Sequence, residues 1–274
     1  MKRAHNKRTE QGFSLIEMMI AAVIFILLCG AAFALLSVAQ QRYQTESQVL
    51  NSFQEARFGL DDLVRDVNGS GYPPQNSFSF TPSAPAVNLY AITPIAWSPG
   101  YTTGSPCTIG TGGGGTCVTP GDFDMIVERD VDPWNHNGVE WVRYQLDGTT
   151  GILSRAAVEK SSIGADPASA TVSSFVPYVQ NVMNAATPGQ ITQFQAAYPQ
   201  MFPGGNQVPV FSYFCYSPYG PSQPCPASGS YNSPVNITDV EITLIVMAPT
   251  KDAQTGLPRL IELHGRGHSL NPIQ

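Results

Sequence analysis

Met18–Ala39 (MMIAAVIFILLCGAAFALLSVA) is a run of 22 residues without a charge, and it constrains the 274-residue chain more than any other feature. About 20 residues cross the hydrocarbon core of a bilayer as a helix, so the run is long enough to span one. Ahead of it, residues 1–12 carry Lys2, Arg3, Lys7 and Arg8 against Glu10. The positive-inside rule places that tip in the cytoplasm and the C-terminal bulk outside. The chain as a whole is 12% charged with a net charge of −6, about half the charged fraction usual for soluble domains, roughly 25%. It has only four lysines. Backbone recognition of nucleic acid depends on Lys and Arg, so no nucleic-acid contact is expected.

Glu17 opens the apolar run, where burying a carboxylate costs about 2.5–3.5 kcal/mol even on the lenient insertion scale. Such an acid calls for a functional reason. A cleaved secretory signal would use Ala32-Phe33-Ala34 as its cut site. A lipoprotein signal would use Cys29, but Leu28 before it is bulky. Neither of these, nor a plain signal anchor, accounts for Glu17. The stretch Gln11–Met19 (QGFSLIEMM) resembles the type IV prepilin signal: a basic leader, a Gly, a methylatable Phe and a Glu four residues after it, ahead of a spanning run. That resemblance implies cutting by a prepilin peptidase between Gly12 and Phe13, N-methylation of the Phe13 amine, and retention of the apolar helix. It also implies an assembly role for Glu17, whose carboxylate pairs with the Phe13 amine of a neighbouring subunit in a filament core. Breaking a buried pair of that kind costs about 3–5 kcal/mol, so the pairing would also set axial register.

Beyond Gln40 the pattern turns amphipathic. Val49/Leu50, Phe53, Leu60, Leu63/Val64 and Val67 recur at three- and four-residue steps, with Arg42, Glu46, Glu55, Arg57, Asp61, Asp62, Arg65 and Asp66 assigned to the other face. No proline falls between Phe13 and Tyr72, and Gly69-Ser70-Gly71 with Pro73-Pro74 supplies a stop. One continuous helix over 13–68 is expected. Strand-like runs follow at Phe123–Val131, Val139–Leu146, Ile152–Arg155, Pro209–Tyr216, Ile237–Met247 and Arg259–His264, while Phe175–Met183 fits strand or helix. The organisation expected is a leader (1–12), a transmembrane and filament-core helix (13–39), its amphipathic continuation (40–68) and an extracytoplasmic β-rich head (69–274). The fold class is α+β and pilin-like: a long N-terminal helix, membrane-spanning in its first half, packed on an antiparallel sheet with long loops.

Ala56–Tyr72 (ARFGLDDLVRDVNGSGY), VRYQLDGTTGILSR, PVFSYFCY and ITDVEITLIVM resemble the PilW-type minor pilins, which are similar to the J-type minor pseudopilin of type II secretion. The resemblance implies a role in pilus initiation or tip assembly. Implied partners are the prepilin peptidase, other minor and major pilins, and the inner-membrane assembly platform. The implied location is a single pass in the inner membrane with a periplasmic head, then the cell-surface pilus. A J-like pseudopilin is the alternative within the same machinery. A tip adhesin is the alternative of another class, for which Trp97, Tyr101, Tyr216 and Tyr219 are loop aromatics that could meet a ligand.

Cys29 lies in the apolar run as a small apolar residue. Cys107/Cys117 and Cys215/Cys225 are each ten positions apart. Four cysteines outside the cytoplasm allow three connectivities, of which proximity favours the two local bonds. Each would contribute about 2.8 kcal/mol in the chain-entropy account. Zinc is disfavoured because no C-x₂-C unit occurs. Gly110–Thr116 (GTGGGGT) lacks the lysine of a phosphate loop and reads as a flexible loop. Asp130, Asp132, Asn135 and Asn137 fail the order of a calcium loop and read as a polar hairpin turn. His264 and His268 flank Gly-Arg-Gly and read as an exposed tail. No nucleophile–base grouping occurs, so no enzyme activity, metal or cofactor is expected.

Overall fold

The computed structural model describes residues 14–77, 88–100, 107–110, 115–134, 138–162, 164–217, 220–226, 232–252 and 256–269. Its contacts divide into two units, one ending at Gln48 and one beginning at Val49. Helix α1, Leu15–Asn68, contributes residues to both. In the first unit it is long and apolar enough to cross a membrane, and none of its most apolar stretch is buried. Its end at Asn68 is where the Gly69-Ser70-Gly71 stop falls, with Gly71 in the left-handed region (φ 77°).

The second unit is antiparallel throughout its two sheets. The first sheet has the order β1 (Ile95–Ala96), β2 (Asp124–Arg129), β3 (Glu140–Asp147), β4 (Ile152–Glu159) and β5 (Val176–Val179). The second has the order β7 (Gly220–Pro224), β6 (Phe211–Ser217), β8 (Ile237–Lys251) and β9 (Pro258–His268). Strand alternation sends Met125, Val127, Val142 and Tyr144 of the first sheet, and Tyr213, Val240, Ile242 and Leu244 of the second, into one core. Ala56, Leu60, Leu63 and Val67 of α1 join that core at three- and four-residue steps. The opposite faces are covered separately. Helix α2 (Pro167–Thr171) brings Ala168 over Ile126 and Trp141. Helix α3 (Pro188–Gln195) brings Ile191 and Phe194 against Ile245 and Leu260.

The α+β arrangement with an antiparallel head matches the expected fold class, and the open segment Phe175–Met183 contains strand β5. The exposed tail around His264 and His268 is overturned. Those residues belong to β9, paired along its length with β8. The physical reason is close approach: a Cβ on Gly265 would come within 2.7 Å of Val64 Cγ2, and one on Gly267 within 2.5 Å of Val67 Cβ. The glycines let α1 lie directly on the strand, while His264, Arg266 and His268 alternate outward and are exposed. We expect Gly267→Ala to destabilise the head by about 1–3 kcal/mol through overpacking. Gly189→Ala on α3, where a Cβ meets nothing within 4 Å, is the control and should not destabilise, gaining up to about 1 kcal/mol. Thermal melting of the two variants checks the contrast.

Candidate functional site

Gly12 and Phe13 lie outside the described residues, so the geometry of the site begins at Ser14. Ser14 carbonyl accepts from the N–H groups of Glu17 (3.0 Å) and Met18 (3.2 Å), and Ser14 N–H donates to Glu17 Oε2 (3.1 Å). This is half of a capping box, in which the third helical residue reaches back to the N-cap backbone. The Ser-x-x-Glu spacing ahead of an apolar run is the local pattern that gives this geometry. Glu17 is exposed, as are Leu15, Ile16, Met18 and Met19 around it. The carboxylate is thus anchored at the positive end of the helix dipole and ringed by exposed apolar side chains.

The other end of α1 holds the strongest charge cluster. Asp66, assigned from the sequence to the exposed charged face, is buried. Its position three residues after Leu63 turns it into the apolar stripe. Asp66 Oδ1 takes Arg129 Nη1 at 2.7 Å, and Oδ2 takes Tyr144 O–H at 2.6 Å and Arg155 Nη2 at 3.1 Å. Arg155 also donates to Tyr144 Oη (3.0 Å), and Tyr178 O–H donates to Asp62 Oδ2 (2.8 Å). Arg129 Nη1 reaches the Arg65 carbonyl as well (3.4 Å), and His268 N–H donates to Asn68 Oδ1 (2.8 Å). The last turn of the helix is thus bound to both sheets. Arg129 and Arg155 carried no sequence signal for this role, because their partner lies more than 60 residues away in the chain.

Two further buried pairs brace the first sheet. Arg143 grips Asp124 through two bonds (2.9 and 2.6 Å), and Gln145 adds a third (2.9 Å). Burial pushes the Asp124 carboxyl above the usual carboxylate value, against the pull of the Arg143 guanidinium. Lys160 Nζ pairs with Glu128, both fully buried, and donates to the Tyr90 carbonyl (2.5 Å).

Disulfides join Cys107 to Cys117 and Cys215 to Cys225, and Cys29 is free. Among the described residues, no group of three or more His, Cys, Asp or Glu is placed to hold a metal. Asn135, Asn137 and most of the glycine run 110–116 lie outside the described residues. Of the aromatics assigned to loops, Trp97 is buried, and Tyr216, though exposed, belongs to strand β6; Tyr101 and Tyr219 lie outside the described residues.

Comparison with known families gives one match: the prokaryotic N-terminal methylation motif, over residues 7–33. No curated protein and no solved structure matches the chain. The match covers Lys7 and Arg8 of the basic tip, Gly12, Phe13, Glu17 and most of the apolar run. It supports a type IV pilin-like prepilin signal, and with it a precursor of the pilin or pseudopilin kind that is processed by a prepilin peptidase and assembles with other pilins. That signal points to a structural role.

Removing the Asp66 charge leaves the half-buried Arg129 and Arg155 without their partner. Asp66→Asn is therefore expected to lower head stability by about 3–5 kcal/mol, read as a shift of the denaturation midpoint. Alkali tests the tyrosines. Burial, then the negative charge of Asp66, pushes the Tyr144 hydroxyl far above its ordinary 10.0. Burial also raises Tyr178, with Asp62 adding to it, and Tyr213, with Asp124 adding to it. The unfolded chain releases these protons near pH 10 and the folded chain keeps them. Their stabilising contribution is complete below that pH and is lost as pH rises toward the folded values, at up to about 1.4 kcal/mol per pH unit for each tyrosine. Melting temperature should fall steeply above pH 10, and less steeply in Tyr213→Phe.

Proposed function

We propose that the chain is a minor pilin of a type IV pilus, most like the PilW type, acting in pilus initiation and tip assembly. On this reading, residues 1–12 are a leader removed in the cytoplasm. Residues 13–39 anchor the mature chain in the inner membrane and later enter the filament core, 40–68 continue the helix, and 69–274 form a periplasmic head that ends on the cell-surface pilus. The new Phe13 amine is methylated and pairs with Glu17 of an adjacent subunit. The assembly platform and the other minor and major pilins are the partners, and the role is structural, not catalytic.

The observation that carries the proposal is the methylation motif ahead of an exposed apolar helix whose only early charge is Glu17. A surface of Met, Ile, Leu and Phe left open in the isolated chain needs lipid or other helices to cover it. Once it is covered, the Glu17 carboxylate has to take up a proton or gain a cation.

Mass spectrometry of the mature N-terminus tests the first step, with a methylated Phe13 start expected. A start after Ala34, or an intact Met1, would overturn the proposal. Glu17→Ala should be cleaved normally yet fail to co-purify with sheared pili; wild-type incorporation would remove the assembly role. A pseudopilin of type II secretion would give the same mature N-terminus. In a deletion strain the pilin reading expects loss of pili with secretion intact, and the reverse outcome assigns the chain to secretion.

A further inference from the structure

Three of the four sheet edges in the head are protected against further strand pairing. β1 is two residues long, β5 contains Pro177 and β7 ends on Pro224, and short strands and prolines are the usual devices. β9 forms the fourth edge, 11 residues long with no proline after Pro258. Its ladder with β8 fixes which backbone groups point outward. Ser269 N–H donates to the Thr238 carbonyl, and His268 stands opposite Asp239. The N–H and C=O groups of residues 263, 265 and 267 therefore turn to β8, and those of Glu262, His264 and Arg266 turn away from it. Asn68 Oδ1 takes the outward N–H of His268 and closes that end. Among the described residues, the outward backbone groups of Glu262, His264 and Arg266 meet no partner.

Helix α1 runs beside this edge in the same direction as β9. Leu60 and Val64 meet Gly265, Val67 meets Gly267 and Asn68 meets His268. From Val64 the same side of the helix continues back through Arg57, Phe53 and Leu50 at helical spacing. Phe53 and Val64 are half-buried and Leu50 is exposed, and so the helix flank is apolar and incompletely covered. We propose that β9 and this flank receive an extended segment of another protein chain as a fifth strand of the second sheet. Backbone hydrogen bonds to Glu262, His264 and Arg266 supply the affinity, and alternate apolar residues of the segment face α1. On the opposite face a base suits Glu262 and an acid suits Arg266, which keeps about half its side chain exposed while paired with Asp239. A second copy of this chain fits less well. Two β9 edges pair antiparallel, which sets their α1 helices head to tail, and one membrane anchors both only when they point the same way. That exclusion alone rests on the membrane reading of α1.

The probe is a dye-labelled, C-terminally amidated peptide, Thr-Val-Glu-Val-Thr-Val-Lys-Val-Thr, which lies antiparallel to β9 with its Glu opposite Arg266 and its Lys opposite Glu262. It is titrated into the full chain in detergent and followed by fluorescence polarisation. Saturable binding is expected, with amide hydrogen exchange slowed across residues 262–266. The same peptide N-methylated at its Glu and central Thr loses two donors aimed at β9. It should bind at least about tenfold more weakly, which is what two hydrogen bonds are worth. His264→Pro deletes one outward N–H at an edge position, where proline is tolerated, and should weaken binding several-fold. His264→Ala keeps that N–H and should bind as wild type does. The methylated peptide makes the same test on the unaltered protein should His264→Pro fail to fold. The proposal is overturned if the peptide is not retained, if the methylated peptide binds equally well, or if His264→Ala loses as much as His264→Pro. A peptide-free dimer abolished by His264→Pro overturns it as well, by assigning the edge to a second copy.

Discussion

The last turn of α1 is held by one carboxylate. Asp66 stands in the final turn of the helix, where the dipole disfavours an anion, and it is nearly shut off from water. Two guanidiniums and a phenol from three strands of the first sheet compensate it. The cluster fixes more than a distance. Because Arg129 also reaches the Arg65 carbonyl and Asn68 receives the His268 N–H, the helix end, β2, β4 and β9 share one junction. The apolar stripe from Ala56 to Val67 supplies much of the burial, but it permits sliding. The charged junction does not, since any displacement leaves a desolvated ion unpaired.

The sequence revealed those parts of the fold that depend on local periodicity and turn chemistry. The helix end was legible because Gly-Ser-Gly and two prolines follow it, and β2, β3, β6 and β8 were legible from their apolar alternation. What escaped was set by contacts distant in sequence. His-Gly-Arg-Gly-His looked like a tail because glycine weakens strands, yet here glycine is what lets a helix touch one. Asp66 looked like one more charge on a solvent face, and only the positions of Arg129 and Arg155 show otherwise. Trp97 looked like a loop aromatic and is buried. Helix α3 does carry a local start signal, Thr187 with Pro188 after it and Gln190 three residues on, but little apolar pattern follows it, and β7 begins with glycine and ends with proline, which reads as loop.

At the start of α1 the sequence was more informative than the coordinates. Gly12, Phe13 and Glu17 stand out by spacing alone, and the family comparison meets them there. The structure adds the tie between Glu17 and the Ser14 amide. The carboxylate thus has a local partner in the single chain, which lowers the cost of carrying it ahead of an apolar run.

The pairing of Lys160 with Glu128 has a practical consequence for labelling. Of the four lysines, two precede Phe13, and the head contains only Lys160 and Lys251. Lys160 is fully enclosed, while Lys251, at the end of β8, is exposed. Amine-reactive dyes and crosslinkers therefore find one side-chain target on the folded head, at the tip of the β8–β9 hairpin. Modification at Lys160 would be a direct readout of the head coming apart.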